Sequence, residues 1–364
     1  MSKRIIIAGG GTGGHIFPAL AIANALKQQD PAVEILFVGA KGKMEMEKVP
    51  QAGYPIKGLD IAGFNRSSLI KNISLPFKLI KSFFQVRTIV KGFQPHAVIG
   101  VGGYSSFPVL RYAQAKSIPT FLHESNSFAG KSNMLLGKNA TRVFVASAGM
   151  EKFFPAQKLA VVGNPIRPGI LKTAQMPKGD ALRFFGLQEG RVTVLAVGGS
   201  LGARSINEAL ATKLDALAEA GIQLIWQTGK TDADRWKQAA AGKPGVWVGD
   251  FITQMEQAYA AADIVVSRAG AMAVAELCVV ARPVLFVPYP HAAEDHQTAN
   301  AQHLVQQNAA LMIKDGEAKD KVVPELLALA GDGNQQELLK RNIGKLGITD
   351  ADQKIAQAIL KQIA

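Results

Sequence analysis

Short apolar runs alternate along this chain with longer segments in which apolar residues recur at helical spacing. The apolar runs predict strands at residues 4–8, 34–38, 97–101, 120–122, 142–146 and 159–162 in the first half. In the second half they predict strands at residues 192–197, 223–227, 246–248, 263–267, 283–287 and 310–313. Strands that alternate with helices are typical of a parallel sheet covered by helices on both faces. The pattern therefore predicts an α/β protein.

The order strand, glycine loop, helix occurs twice, at residues 5–26 and 192–210. Five glycines surround Thr12 in the first loop, and the second loop reads Gly198-Gly199-Ser200-x-Gly202. Glycines permit a tight turn and leave backbone N–H groups uncovered at a helix N-terminus, where an anion is favoured. The repeat predicts two similar α/β halves that face each other.

A chain of 364 residues exceeds a comfortable single core, so two domains are expected. Residues 164–169 (NPIRPG) are rich in residues that end regular structure, and they mark the boundary. The predicted domains are residues 1–163 and 164–343. The polar, helix-forming tail at about residues 344–364 could pack back on the first domain.

Composition and charge narrow the class of protein. The single cysteine, Cys278, excludes a disulfide framework or a cysteine zinc site, and no apolar stretch is long enough to span a membrane. A soluble protein of a reducing compartment is therefore expected. Residues 1–160 hold 20 Lys and Arg against 7 Asp and Glu, whereas residues 161–364 hold 21 of each. This asymmetry suggests that the first half faces nucleic acid, anionic lipid or a phosphorylated substrate.

Residues 72–87 predict an apolar helix with basic residues along it, and two interpretations remain open. One is a core-facing helix with a solvated basic edge. The other is a helix that meets a bilayer with its apolar side chains while its lysines contact phospholipid head groups. The membrane-facing side chains would be Leu75, Phe77, Lys78, Leu79, Lys81, Phe83 and Phe84.

Candidate catalytic groups in the first half lie at predicted strand ends. The spacing Gly9-x-Gly11-x-x-Gly14 matches a dinucleotide fingerprint, but the second strand lacks the acidic residue that would hold a ribose, which disfavours a dehydrogenase. His15 begins the helix after this loop. His123, Glu124 and Asn126 follow another strand and offer a base and hydrogen-bond partners, although a capped helix start would explain them too.

In the second half, residues 267–276 (SRAGAMAVAE) predict a helix whose N-terminus suits a diphosphate, with Glu276 placed to bind ribose hydroxyls. Gln297 and Asn300 share one helix face and suit sugar hydroxyls. The triplets Asp232-Ala-Asp234 and Asp350-Ala-Asp352 are interpreted as helix caps. No cluster has metal-ligand spacing, so no metal cofactor is expected.

Seven segments together resemble the MurG family of bacterial glycosyltransferases. They are GGGTGGHIFPAL (9–20), GVGGYSSFP (100–108), HESN (123–126), GNPIR (163–167), VGGSLGA (197–203), SRAGAMAVAE (267–276) and HAAEDHQTANA (291–301). The resemblance implies the GT-B fold, two Rossmann-like domains facing across a cleft. It also implies transfer of N-acetylglucosamine from UDP-N-acetylglucosamine to undecaprenyl-pyrophosphoryl-N-acetylmuramoyl-pentapeptide, a step of peptidoglycan synthesis that serves cell shape and division.

The resemblance also assigns residues. The positions that match donor contacts are Thr12, Gly13, Gly14, Asn126, Arg167, Ser200, Ile252, Arg268, Ala271, Met272, Ala273, Val274, Ala275, Glu276, Gln297 and Asn300. Among these, Ile252 would meet the uracil through its backbone, Ser200 the phosphates and Glu276 the ribose. The acceptor side matches His15, Tyr104, His123 and Glu124. Ser125 and Ala269 depart from the family pattern, where Gln and Ser are usual.

These expectations combine into one mechanism. The acceptor hydroxyl attacks the anomeric carbon in line, and UDP leaves with its charge stabilised by the helix N-terminus, the glycine loop and Arg167 rather than by a metal. His15 is the first choice for the general base and Glu124 the second. The expected partners are both substrates, the cytoplasmic face of the plasma membrane as a peripheral site, and other cell-wall synthesis proteins.

Two other functions are weighed against it. A UDP-sugar epimerase of the same architecture would need no lipid acceptor. A nucleic-acid-binding protein would use the basic first half, but the basic residues lack an RNA-stacking or helix-turn-helix signature, so no nucleic acid is expected.

Overall fold

The computed structural model describes residues 2–63, 75–199 and 201–364. The chain divides into two compact units, Met1–Arg167 with Thr349–Ala364, and Pro168–Ile348. The first break follows Arg167, within the segment 164–169. The second lies a few residues beyond position 344.

The first unit contains a parallel seven-stranded sheet. Its strands are β1 Arg4–Ala8, β2 Glu34–Ala40, β3 Ile56–Leu59, β4 Ala97–Gly100, β5 Thr120–Glu124, β6 Arg142–Val145 and β7 Leu159–Val161. The helices in the N-terminal part of this unit are α1 Gly13–Gln29, α2 Glu45–Gln51, α3 Leu75–Phe93, α4 Ser106–Ala115 and α5 Lys131–Gly137, with a 3₁₀ turn at Ala156–Lys158. The strand order is β3-β2-β1-β4-β5-β6-β7. The prediction of a parallel sheet is confirmed.

The second unit repeats the plan with a parallel six-stranded sheet. Its strands are β8 Thr193–Val197, β9 Gln223–Gln227, β10 Val246–Gly249, β11 Ile264–Ser267, β12 Val284–Phe286 and β13 Leu311–Met312. Its helices are α6 Pro168–Leu171, α7 Lys178–Phe184, α8 Arg204–Ala211, α9 Leu214–Glu219, α10 Ala233–Ala240, α11 Met255–Ala261, α12 Ala271–Val280, α13 His296–Val305, α14 Ala318–Gly331 and α15 Gly333–Gly344. Short 3₁₀ turns cover Thr173–Gln175, Ala293–Asp295 and Asp315–Glu317. The order is β10-β9-β8-β11-β12-β13.

The last helix, α16 Ala351–Gln362, returns to the first unit and packs on α1. Its side chains Ile355, Ala356 and Ile359 are fully buried in the apolar cluster that also contains Ile5 and Ile7 of β1. The opposite face of β1, with Ile6 and Ala8, is covered by α3, α4 and α5. Both faces of the first sheet are therefore buried, which explains why its strands read as continuous apolar runs.

Strand β3 was not predicted. Its four residues include Gly58 and a solvent-facing Lys57, and it lies at the edge of the sheet beside β2. A run so short and half-exposed carries too little periodicity to be recognised locally.

The topology places the glycine loops. The strand order reverses between β1 and β4 and again between β8 and β11. In open parallel sheets, ligands bind at the carboxyl ends of the strands beside such a reversal. The loops that follow these four strands are residues 9–12, 101–105, 198–203 and 268–270.

Candidate active site

The loops after β1 and β4 pack backbone against backbone. The Gly10 N–H donates to Gly102 O at 3.4 Å. Gly103 has a φ of +84°, and a Cβ there would lie 2.4 Å from Gly10 O. Only glycine fits at that distance, so these glycines are required for the two loops to approach each other.

The backbone N–H groups of the first loop divide into two sets. Those of residues 9–11 donate to Val38 O, Gly102 O and the Glu45 carboxylate, and those of residues 15 and 16 donate to Thr12 O. Among the residues that the structure describes, the N–H groups of residues 12–14 donate to no acceptor. These three groups lie at the N-terminus of the 17-residue helix α1, where an anion is favoured. They belong to Thr12, Gly13 and Gly14, which the sequence assigned to the ligand.

His15 lies on the first turn of α1 and is half-buried. Its Nδ1 atom is 3.1 Å from Gly10 O and 3.4 Å from Thr12 Oγ1. Because a carbonyl oxygen only accepts, the hydrogen bond to Gly10 O assigns a proton to Nδ1, and in the neutral ring Nε2 then carries the lone pair. The Nε2 edge of the ring faces Gly102, since a Cβ on that glycine would lie 2.8 Å from Nε2. His15 thus has the tautomer that a general base needs.

Glu124, the second candidate base, is buried, and both of its carboxylate oxygens accept hydrogen bonds from the protein. One carboxylate oxygen accepts from the Asn126 N–H at 3.1 Å and from Asn126 Nδ2 at 3.2 Å. The other accepts from the Gly130 N–H at 3.1 Å and from Asn133 Nδ2 at 2.8 Å. The carboxylate therefore holds residues 125–130 and the start of α5, and it orients the Asn126 amide.

His123 is the penultimate residue of β5 rather than part of a loop, and only 1% of it is exposed. Its Nε2 donates to Gly163 O at 3.2 Å. Burial lowers its pKa to about 4, and the nearby His15 lowers it further, against the effect of the Gly163 hydrogen bond. His123 is therefore a neutral, buried residue of the sheet edge, which departs from the prediction of a ligand-facing side chain.

The low pKa of His123 predicts an acid-sensitive first domain. The folded pKa of His123 lies below its ordinary value of 6.5. Neutral His123 therefore makes its full contribution to the free energy of unfolding above about pH 6.5, and this contribution falls as the pH drops from 6.5 toward 4. The free energy of unfolding should fall by about 3 kcal/mol over this range, because each pH unit between the unfolded and folded pKa values corresponds to about 1.36 kcal/mol. Urea unfolding of wild type and His123→Gln at several pH values should show a shallower decline in the variant. An identical pH dependence in the two proteins would contradict the assignment, and His96→Gln on the surface of the same domain is the control.

Tyr104 lies beside the first glycine loop, and Arg167 lies near Phe17 of the helix that follows this loop. A Cβ on Gly63 would lie 2.9 Å from the Tyr104 ring, and one on Gly11 would lie 3.9 Å from it. The Tyr104 hydroxyl is buried without a hydrogen-bond partner among the described residues, and burial together with Glu45 raises its pKa. The Arg167 guanidinium lies 6.0 Å from the centre of the Phe17 ring.

In the second domain, α12 begins directly after the loop that follows β11. Gly270 is its extended N-cap, and residues 271–275 are half-buried. These are Ala271, Met272, Ala273, Val274 and Ala275. Glu276 is buried one turn further on, where its carboxylate accepts from the Tyr259 hydroxyl at 3.3 Å.

Gln227, at the end of β9, connects the second glycine loop to Ile252. Its Oε1 accepts from the Ile252 N–H at 3.1 Å, and its Nε2 donates to Gly199 O at 3.1 Å. Because the Ile252 N–H already donates to Gln227, the Ile252 carbonyl is the backbone group of this residue that could accept a hydrogen bond from a uracil base. Sequence reasoning noted Gln227 only for the absence of an acid there, although a buried amide at a strand end was a usable signal. The predicted contact Ser200 lies outside the described residues.

Arg268 and Asn300 make hydrogen bonds to the loops around the carboxyl edge of the second sheet. Arg268 donates to Val287 O, Pro288 O and the Asp315 carboxylate at 2.9, 3.1 and 2.5 Å, and its side chain is 13% exposed. Asn300 is buried and donates to Ala269 O at 3.1 Å. Direct contact of these two side chains with the donor stays a prediction.

Gln297 accepts from the Tyr289 N–H at 3.0 Å and so fixes the loop after β12. Arg268, Tyr289, Gly202 and Asp315 contribute to the lining of a cavity of about 480 Å³ within this domain. The cavity lies between the loops that follow β8, β9, β11, β12 and β13, at the carboxyl edge of the sheet.

Metal ligation has no visible basis in the part of the chain that the structure describes. No group of three or more His, Cys, Asp or Glu side chains there could hold a metal ion. The two Asp-x-Asp triplets begin α10 and α16, as predicted, but neither Asp232 nor Asp350 makes a side-chain capping hydrogen bond.

The apolar helix α3 is exposed along its first half. Phe77, Ile80 and Phe84 are 75%, 57% and 64% exposed, whereas Ser82, Val86 and Val90 form its buried face. Of the other side chains assigned to a membrane, Lys78, Leu79 and Lys81 are exposed, and Leu75 and Phe83 are half-buried. The core-facing interpretation is therefore wrong for this half of the helix. Within the described residues, no helix is long and apolar enough to cross a bilayer.

Comparisons with known proteins agree with this architecture. Residues 5–145 match the glycosyltransferase family 28 N-terminal domain, and residues 193–357 match the family 28 C-terminal domain. A UDP-N-acetylglucosamine–N-acetylmuramyl-(pentapeptide) pyrophosphoryl-undecaprenol N-acetylglucosamine transferase from Phocaeicola vulgatus is 50% identical over 98% of this chain and 96% of its own length. The transferase of the same name from Parabacteroides distasonis is 48% identical over 99% of this chain and 98% of its own length. The crystal structure of Acinetobacter baumannii MurG superposes with a TM-score of 0.82 at 30% identity, covering 99% of both chains.

Two Rossmann-like domains with glycine loops at both sheet reversals define a glycosyltransferase of the GT-B class. The chain belongs to glycosyltransferase family 28 and, within it, to the MurG family.

Proposed function

We propose that this protein transfers N-acetylglucosamine from UDP-N-acetylglucosamine to the 4-hydroxyl of undecaprenyl-pyrophosphoryl-N-acetylmuramoyl-pentapeptide in peptidoglycan synthesis. The observation that carries the proposal is the name shared by relatives of about half identity over nearly the whole chain.

The donor is assigned to the second domain. The N-terminus of the ten-residue helix α12 offers its dipole to the diphosphate, and Glu276 offers a carboxylate to the ribose hydroxyls. Ile252 and Gly199, linked by Gln227, provide backbone groups for the uracil and the phosphates. Arg167 and Ser200 complete the assigned set.

The acceptor is assigned to the first domain, on the side of His15 and Tyr104. The N–H groups of residues 12–14 stay assigned to the sugar nucleotide, as the family resemblance implies. His15 Nε2 takes the proton from the acceptor hydroxyl as that oxygen bonds to the anomeric carbon, whose bond to the UDP oxygen breaks with inversion. The leaving diphosphate is stabilised by hydrogen-bond donors and helix dipoles. We propose that no metal is required, because these groups supply the positive potential that a cation would otherwise provide.

The test is the release of UDP from UDP-N-acetylglucosamine with and without a short-chain lipid-linked muramyl-pentapeptide, in the presence of EDTA. Acceptor-dependent release with a disaccharide product is the expected result. Release that stops with EDTA would contradict the proposed metal independence alone. Release without acceptor, with a manno-configured sugar as product, would instead indicate the epimerase. A UDP-N-acetylglucosamine 2-epimerase from Listeria monocytogenes shares the fold at 14% identity and a TM-score of 0.71, so the architecture alone does not separate the two activities.

We further propose that α3 binds the cytoplasmic face of the membrane peripherally. Its exposed Phe77, Ile80 and Phe84 suit the acyl boundary, and the exposed Lys78 suits anionic head groups. Association with other cell-wall synthesis proteins stays a prediction.

Replacing Phe84 by serine should weaken binding to vesicles that contain anionic phospholipid. Burying one such side chain contributes about 1.5–3 kcal/mol, so a loss of about tenfold or more is expected in a vesicle co-sedimentation assay. Phe184→Ser is the matched control, because Phe184 is 51% exposed on the second domain. Equal vesicle binding by wild type and Phe84→Ser would contradict the membrane role of α3.

A further inference from the structure

Glu45 is a buried carboxylate beside the first glycine loop, and no pattern in the sequence distinguishes it from other acidic residues. It begins α2, five residues beyond the end of β2, and only 1% of it is exposed. Charged side chains are rarely buried to this degree unless they are fully paired. Its two carboxylate oxygens accept from the Ala40 N–H at 2.9 Å and from the Gly11 N–H at 2.8 Å.

Two glycines make room for this side chain. A Cβ on Gly10 would lie 2.3 Å from the Glu45 carboxyl carbon, and one on Gly39 would lie 2.5 Å from Glu45 Cγ. Gly10 therefore lacks a side chain because the carboxylate occupies that space. The end of β2 lacks the acidic residue that a dinucleotide-binding protein uses to bind a ribose. An acidic residue, Glu45, comes instead from α2, and its carboxylate binds the glycine loop rather than a ribose.

The Gly11 N–H and the Gly10 carbonyl belong to the same planar peptide unit. Glu45 accepts from the N–H at one side of this unit, and His15 Nδ1 donates to the carbonyl oxygen at the other side. A negative charge on the N–H side polarises the peptide and strengthens its carbonyl as an acceptor. The same hydrogen bond determines which nitrogen of His15 carries the proton.

We propose that Glu45 is a positioning residue that acts on His15 through the peptide between Gly10 and Gly11. It holds this peptide in the orientation that keeps the proton on His15 Nδ1 and leaves Nε2 as the base. The role corresponds to that of the carboxylate that orients the histidine in a hydrolase triad, with a peptide unit inserted between the two side chains. This inference rests on the proposed function of His15 as the base.

The first test is spectroscopic and needs no substrate. Nitrogen-15 NMR of the His15 ring in the full chain should show the Nδ1–H tautomer in wild type and a smaller fraction of it in Glu45→Gln, which removes the charge and retains the size. Glu47→Gln is the matched control, since Glu47 lies on the same helix and accepts hydrogen bonds from Lys48 and Gln51 on its surface. An Nε2–H tautomer in wild type would overturn the proposal even if the variant does not fold.

The second test is kinetic. In Glu45→Gln, kcat should fall about 10- to 100-fold, the size typical for loss of a partner that orients a functional histidine, while the KM for UDP-N-acetylglucosamine stays near that of wild type. In a His15→Asn background the same substitution should change kcat little, because its route to the reaction is already removed. Equal losses in both backgrounds would show a structural role and reject the proposal. A chain with no transferase activity but the expected tautomers would reject the proposed function and not the contact between Glu45 and His15.

Discussion

Replacement of His15 by asparagine is expected to lower kcat for disaccharide formation by about 10²- to 10⁴-fold, the usual contribution of a general base. The asparagine amide retains a donor for Gly10 O but offers no basic nitrogen to the acceptor hydroxyl. The loop at residues 9–14 should therefore keep its conformation, and the KM for UDP-N-acetylglucosamine should remain close to that of wild type. Initial rates of UDP release at saturating substrates measure both constants.

The control for this experiment is His303→Asn, on helix α13 of the second domain, where the histidine contacts Gln307. Its kcat should equal that of wild type. If His15→Asn instead retains the wild-type kcat with a raised KM for the acceptor, His15 is a binding residue, and the base must be sought elsewhere.

Replacement of Glu124 by glutamine is expected to act mainly on stability, with a loss of about 3 kcal/mol. The carboxylate accepts four hydrogen bonds in a buried site, and the amide nitrogen of glutamine would face the donors on Gly130 and Asn133 without accepting from either. Hydrogen bonds to a charged group contribute about 1.5–3 kcal/mol each, and unpaired buried donors add to the cost. Urea unfolding of the first domain measures the loss.

Glu151→Gln, an exposed acid of the same domain, is the matched control and should leave the unfolding curve unchanged. A Glu124→Gln protein that unfolds like wild type but has lost activity would restore Glu124 as a candidate base. The expected pair of results, a kinetic defect at His15 and a folding defect at Glu124, would separate the two candidates that the sequence left open.

The surroundings of His123 and Glu124 show what a local sequence pattern does not predict. His123 and Glu124 were expected in a loop, because the apolar run ends at Leu122, yet β5 continues through both. The neighbouring strand β6 pairs their backbones with Phe144 and Val145, which lie about twenty positions further along the chain. Polar side chains at a strand end were recognised, but their burial depended on neighbours that the local pattern does not reveal.

Most strands and both glycine loops were determined by the sequence alone, β3 and the end of β5 being exceptions. β1 at Arg4–Ala8 and β9 at Gln223–Gln227 match their predicted bounds, and the glycines around Thr12 indicated a turn into a helix, because these preferences depend on adjacent residues. The tertiary structure decided which groups meet. It brought Glu45 to Gly11, Asp315 to Arg268 and α16 to α1. Each of these contacts joins residues far apart in the chain, and it depends on the packing of the sheets and helices, which a local sequence pattern does not contain.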